Sequence, residues 1–172
     1  METERTEVIR ILLVDDVEKI RESLRSFLAR HPHFEIVGEA CDGEEAVLAV
    51  AQLEPSVVVM DINMPRFNGI EATAWIRRTY PHVVVVGVSA IATEHTCQLM
   101  KAAGATTVIS KEAVEQLQHV ILESVGQGLQ PRGNNGKGGR SRHEWVEDSG
   151  YEPEGCFERN RSTARERASR SY

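Results

Sequence analysis

The chain is poor in cysteine, and the few it has are badly placed for a framework. Cys41, Cys97 and Cys156 are odd in number and far apart. This excludes a disulfide scaffold and a zinc motif of paired thiols, and leaves free thiols in a reducing compartment. Long apolar runs are also missing. None approaches the ~20 residues that a membrane helix needs, and the opening METERTEVIR is too polar for a secretory signal. A cytoplasmic location with no membrane partner is therefore expected. Basic charge is short as well. The net charge is −6, and residues 1–125 carry 11 basic against 19 acidic side chains. Such a body is a poor nucleic-acid surface, so no specific DNA binding is expected. His31, His33, His82, His95, His119 and His143 lack metal-ligand partners at useful spacing and read as surface residues.

What is present suits one soluble domain. A length of 172 residues allows a single domain with a real core, and the composition is 41% hydrophobic and 27% charged. Five runs rich in β-branched residues recur at 8–14, 34–40, 57–60, 83–88 and 106–109. Three of them are almost unbroken apolar stretches, as expected of parallel strands covered on both faces. Between them lie segments of helical spacing. Val17, Ile20, Leu24, Phe27 and Leu28 form one stripe, and Ala46, Val47, Val50 and Leu53 form another. The second stripe opens with Asp42 at a cap position and Glu45 three residues later, the pattern of a capping box. Weaker stripes at 69–79 and 93–103 are read partly from the alternation, and Val114, Leu117 and Ile121 mark the last helix. The fold class is α/β, a five-stranded, doubly wound parallel sheet with helices on both faces. Beyond residue 125 the pattern collapses into a Gly-, Arg-, Ser- and Glu-rich stretch, with 9 basic and 7 acidic side chains. Two regions are thus predicted, a domain at 8–125 and a disordered tail at 126–172.

In such a sheet the functional groups collect where the strands end at their carboxyl edge. Asp15 and Asp16 follow the first run, Asp61 the third, Ser89 the fourth, and Ser110 with Lys111 the fifth. Two unit charges 4 Å apart repel by about 4 kcal/mol at an effective dielectric of about 20. Three acids at one edge therefore call for a compensating partner. A hard divalent cation such as Mg²⁺ fits a site of few carboxylates with room for waters and a phosphate. A serine hydroxyl and a lysine charge beside it suit an incoming phosphoryl group, and a carboxylate is an established phosphoryl acceptor.

At these residues the chain resembles the response-regulator receiver domain of two-component signalling, over roughly residues 8–125. LLVDD, MDINMPRFNG, VSA and ISKE carry the resemblance, in this order and at these distances. It is chemotaxis-regulator-like and implies a flavodoxin-like (βα)5 fold. It also implies a switch that is not a turnover enzyme, phosphorylated by a sensor histidine kinase or phosphotransfer protein. Carried over, Asp61 resembles the phosphoacceptor, Asp16 the direct metal ligand, and Asp15 the ligand acting largely through water. The backbone carbonyl of Asn63 is similar to the third protein ligand of Mg²⁺. Ser89 matches the hydroxyl that binds the phosphoryl oxygen, and Lys111 the lysine that pairs with acceptor and phosphate. Met64, Pro65 and Gly69 fit the turn leaving the acceptor. Two positions depart from the pattern. Val108 stands where the family has an aromatic rotor, and Glu112 where proline is common. The resemblance therefore implies transmission through the Ser89 loop and a phosphorylation-dependent dimer or protein partner. GEACDGEEAV and NGIEAT resemble receivers that usually carry a helix-turn-helix output domain, which residues 126–172 do not resemble.

Plainer readings exist for each residue taken singly. Asp15 and Asp16 alone would cap the first helix, Ser89 would be a loop hydroxyl, and Lys111 a solvated charge. Two other function classes also use these groups. A Mg²⁺-dependent phosphatase or phosphotransferase with an aspartyl intermediate typically has a general-acid Asp two residues after its nucleophile, and Asn63 is there instead. A receiver-like interaction module without phosphorylation usually lacks one of the acids or the lysine, and here all are present.

Overall fold

A computed structural model of the protein describes residues 8–128. Five strands alternate with five helices: β1 (Ile9–Val14), α1 (Glu18–Leu28), β2 (Phe34–Ala40), α2 (Gly43–Leu53), β3 (Val57–Asp61), α3 (Gly69–Thr79), β4 (Val84–Ser89), α4 (Glu94–Ala102), β5 (Thr107–Ser110) and α5 (Leu117–Gly128). The strands form one parallel sheet in the order β2-β1-β3-β4-β5. Every residue of β3 and β4 is buried, which explains why these runs are continuously apolar rather than alternating. Side-chain alternation divides the core in two. Leu12, Val14, Val58 and Met60 face α2, α3 and α4, whereas Ile11, Leu13, Val57 and Val59 face α1 and α5.

The caps refine the sequence reading. Asp42 accepts the Glu45 amide at 2.8 Å, as expected, but the Glu45 carboxylate reaches back to the amide of Cys41 rather than to that of Asp42. The reciprocal capping box belongs instead to α3, where the Asn68 side chain and Glu71 bond each other's backbone amides. The last helix starts later than the stripe suggested. Residues Lys111–Gln116 form a 3-10 turn with Ala113 outside helical geometry, so Val114 precedes α5. A 3-10 turn repeats every three residues, and the spacing of Val114 and Leu117 fits it as well as a helix. The helix then runs to Gly128, so residues 126–128 of the tail expected at 126–172 belong to it, and the remainder lies outside the described residues.

One glycine positions the site directly. A Cβ on Gly69 would lie 2.0 Å from the backbone oxygen of Asp61 and 3.0 Å from Cα of Ile62. The start of α3 therefore presses against the backbone at the end of β3, where no side chain fits. Gly126, by contrast, has nothing within 4 Å of such a Cβ. Gly69→Ala is predicted to destabilise the fold by about 1–3 kcal/mol through overpacking. Gly126→Ala should stabilise it by roughly 0.5–1 kcal/mol by removing a helical glycine. Urea denaturation of the two variants beside the parent checks both signs.

Candidate functional site

The parallel sheet sets the site by bringing the carboxyl ends of β1, β3, β4 and β5 to one edge. Asp15 follows β1 and is fully buried, while Asp16 beside it is exposed. Asp61 is the last residue of β3 and only 2% exposed. One carboxylate oxygen from each of Asp15, Asp16 and Asp61 lies within 4.8 Å of the others. The acids are not consumed in capping α1. Its cap residue is Val17, with no side-chain cap bond, and the Asp15 carboxylate instead accepts the Val17 amide at 2.9 Å.

Lys111, one residue after β5, bridges the two buried acids. Its Nζ lies 2.5 Å from Asp15 Oδ2 and 3.1 Å from Asp61 Oδ2. Ser110 fixes the backbone here, its hydroxyl accepting the Glu112 amide at 3.2 Å. Burial and then the Asp15 charge push the Asp61 carboxyl above its usual range, with Lys111 and the Asn63 amide only partly opposing them. Burial also works against the Lys111 ammonium. Its close contact with Asp15 and the charges of both acids outweigh that, so its pKa lies above the ordinary value.

Ser89 ends β4 and is completely buried. Its hydroxyl accepts from Asn63 Nδ2 at 3.1 Å and from the Ile91 amide at 3.2 Å, and donates to the Ile91 carbonyl at 3.0 Å. Asn63 also bonds Asp61 Oδ1 through its amide at 3.3 Å. The loop after β3 thus ties the Asp61 carboxylate to the Ser89 hydroxyl. The turn through Met64 and Pro65 carries Arg66 at φ 65. It docks on α2, where the Gly43 amide meets the Phe67 carbonyl at 3.1 Å. Val108 packs with Met100 across Gly87, where a Cβ would stand 3.1 Å from each.

All six sequence-derived residues, Asp15, Asp16, Asp61, Asn63, Ser89 and Lys111, stand at this edge. The family model of the response regulator receiver domain matches residues 11–122. The chain belongs to that family. It carries the receiver domain of two-component response regulators. The receiver is 37% identical over 120 residues to the transcriptional regulatory protein DegU of Brevibacillus brevis, covering 70% of this chain and 51% of that one. It is 42% identical over 106 residues to protein-glutamate methylesterase/protein-glutamine glutaminase 4 of Geobacter metallireducens, covering 60% and 30%. The chain thus spans about half or less of the length of these relatives. Among solved structures, the response regulator domain of Thermotoga maritima CheB is 34% identical, with a TM-score of 0.64 over 73% of this chain and 100% of that one. A chain of the CheX-CheY-BeF3-Mg²⁺ complex of Borrelia burgdorferi is 26% identical, with a TM-score of 0.59 over 66% and 89%.

Sequence reasoning missed Arg21 and Glu39. Arg21 is 3% exposed and donates from Nη1 to the Asp15 carbonyl at 2.6 Å and from Nε to Glu39 at 3.1 Å. The available signal was a charge falling three residues before Leu24, inside the apolar stripe of α1.

The geometry sets a sign for stability. A raised Asp61 pKa means that this group favours folding below its ordinary value of 3.8, and that the contribution is lost as pH rises through the folded value. At neutral pH its charge works against the fold. Asp61→Asn is therefore predicted to melt above the parent at pH 7 without divalent cations, with the gap closing as pH falls below the folded Asp61 pKa. Thermal melts at several pH values check this.

Proposed function

We propose that Asp61 accepts a phosphoryl group from the phosphohistidine of a sensor histidine kinase or phosphotransfer protein, with Mg²⁺ bound at the acidic edge. The observation that carries this reading is the buried pair of Asp15 and Asp61 bridged by one ammonium, beside an exposed third acid. With all three acids ionised, Lys111 leaves two negative charges uncompensated, and the donor set is all oxygen. Asp15, Asp16, Asp61 and the Asn63 carbonyl would hold Mg²⁺. When bound, the ion supplies charge neutralisation for phosphoryl transfer. That a chain of a complex named for BeF3 and Mg²⁺ shares this fold supports the reading.

The steps asked of the chain are few. A carboxylate oxygen of Asp61 forms the new bond to phosphorus, the P–N bond of the phosphohistidine breaks, and the freed imidazole returns to the donor. Lys111, already at Asp61 Oδ2, moves its contact to a phosphoryl oxygen as charge appears there. To donate to a phosphoryl oxygen, the Ser89 hydroxyl must release the Ile91 carbonyl, to which its one O–H now donates. That exchange would draw the loop through Ile91 and move α4. With Val108 packed against Met100, no aromatic ring is there to turn. Ile91 is 72% exposed, Leu99 on α4 43% and Leu122 on α5 39%, and no residue of β5 is fully buried. These apolar groups support a phosphorylation-dependent dimer or protein partner on the α4–β5–α5 face. Part of the chemistry belongs to the receiver itself, yet no turnover on a separate substrate is proposed. The methylesterase likeness covers only 30% of that relative, and a general acid two residues after Asp61 is absent because Asn63 stands there. The receiver is proposed to act in the cytoplasm without specific DNA contacts of its own. No described helix is long and apolar enough to cross a membrane.

Mass spectrometry after acetyl phosphate treatment with Mg²⁺ should find one labile adduct, absent in Asp61→Asn. An adduct that persists in that variant overturns the assignment. A Mg²⁺ concentration 100-fold above Kd should stabilise the fold by about 2.7 kcal/mol, read as a rise in Tm. For the output, Ser89→Ala is expected to take up phosphate but lose most of its association response to beryllofluoride in analytical sizing. A parent-like response from Ser89→Ala would exclude the hydroxyl as the lever.

A further inference from the structure

We propose that Arg21, held by Glu39, is a positioning residue that orients Asp16 for cation binding. The proposal rests on the acidic edge being the Mg²⁺ site.

The pair is buried, with Arg21 3% and Glu39 8% exposed. Taking a guanidinium and a carboxylate out of water costs several kcal/mol per ion, and an apolar pair of similar volume would serve stability as well. What the pair does is geometric. Arg21 Nε holds Glu39 Oε2 at 3.1 Å while its Nη1 holds the Asp15 carbonyl at 2.6 Å. Glu39 is steadied on its other oxygen by Arg25 Nε at 2.6 Å. The Asp15 carbonyl belongs to the peptide that leads into Asp16. That unit is planar, so fixing its oxygen fixes the plane from which the Asp16 chain departs. The other two acids are held through their own carboxylates, Asp15 by the Val17 amide and Lys111, and Asp61 by Lys111 and the Asn63 amide. No hydrogen bond or ion pair to another described residue holds the Asp16 carboxylate. Its direction therefore rests on the backbone, which Arg21 holds at the Asp15 carbonyl.

A nearby cation could also repel Mg²⁺, which would make loss of Arg21 tighten binding. Glu39, which Arg21 shares with Arg25, offsets part of that charge, whereas no other hydrogen bond among the described residues reaches the Asp15 carbonyl. Orientation is therefore the larger effect.

Calorimetric titration of the full chain with MgCl2 tests the proposal. Arg21→Gln is expected to weaken Mg²⁺ binding about 10-fold, the usual size for loss of a group that orients a metal ligand. In an Asp16→Ala background the same change should add little, since the ligand it orients is gone. Arg25→Gln, which also loses a Glu39 contact but none to the Asp15 carbonyl, should weaken binding clearly less than Arg21→Gln. Should Arg21→Gln not fold, Arg21→Lys is read instead; it keeps the charge but lacks the fork that spans both acceptors, and should bind more weakly than the parent. Parent-like or tighter binding in the folded Arg21 variant overturns the proposal. So does an additive loss in the Asp16→Ala background, or an equal loss in Arg25→Gln. A parent that shows no heat with Mg²⁺ instead overturns the cation site itself.

Discussion

Two buried carboxylates share one ammonium, and the rest of the receiver is arranged around that fact. Asp15 and Asp61 both lie at the carboxyl ends of central strands, where water is excluded and charge is expensive. Lys111 reaches both from the turn after β5. The neutralisation is incomplete, because Asp16 adds a further acid with no ion-pair partner among the described residues. A site left electrically unfinished responds to whatever brings positive charge, and to a phosphoryl group that redistributes it.

The fold serves this arrangement through close approach rather than through size. Gly69 lets the start of α3 lie on the backbone of Asp61, and the Asn68 and Glu71 capping box holds it there. Arg21 and Glu39 do the same for the turn after β1, and Ser110 for the turn after β5. Each acid or its counter-ion therefore sits on backbone that a second contact restrains. Ser89 is tied through its side-chain hydroxyl, to Asn63 and to Ile91.

The strands and the site were legible for a common reason. An unbroken apolar run such as VVVM ending in Asp61 has little alternative to a buried parallel strand, and a parallel sheet sends every such ending to one edge. Asp15, Asp61, Ser89 and Lys111 could thus be brought together without coordinates. Contacts that depend on loop shape could not. Asn63 was read for its backbone carbonyl, but its side-chain bond to Ser89 follows from the path of the turn after β3. Arg21 and Glu39 lie 18 residues apart on different elements, and each alone reads as a surface charge. Val114 fits helical spacing equally well as part of a 3-10 turn, which hid the break at Ala113.

Lys111 and Asp61 face each other across the buried edge at 3.1 Å, a contact that should couple them energetically. A double-mutant cycle in urea, with Lys111→Met and Asp61→Asn singly and together in metal-free buffer, measures that coupling most directly. Lys111→Met is expected to be strongly destabilising in the parent, where it leaves two buried acids without their ammonium. The loss should be clearly smaller in Asp61→Asn, where only Asp15 remains charged. Equal losses in both backgrounds would mean that the two groups do not interact and that the buried edge is not held by their pairing.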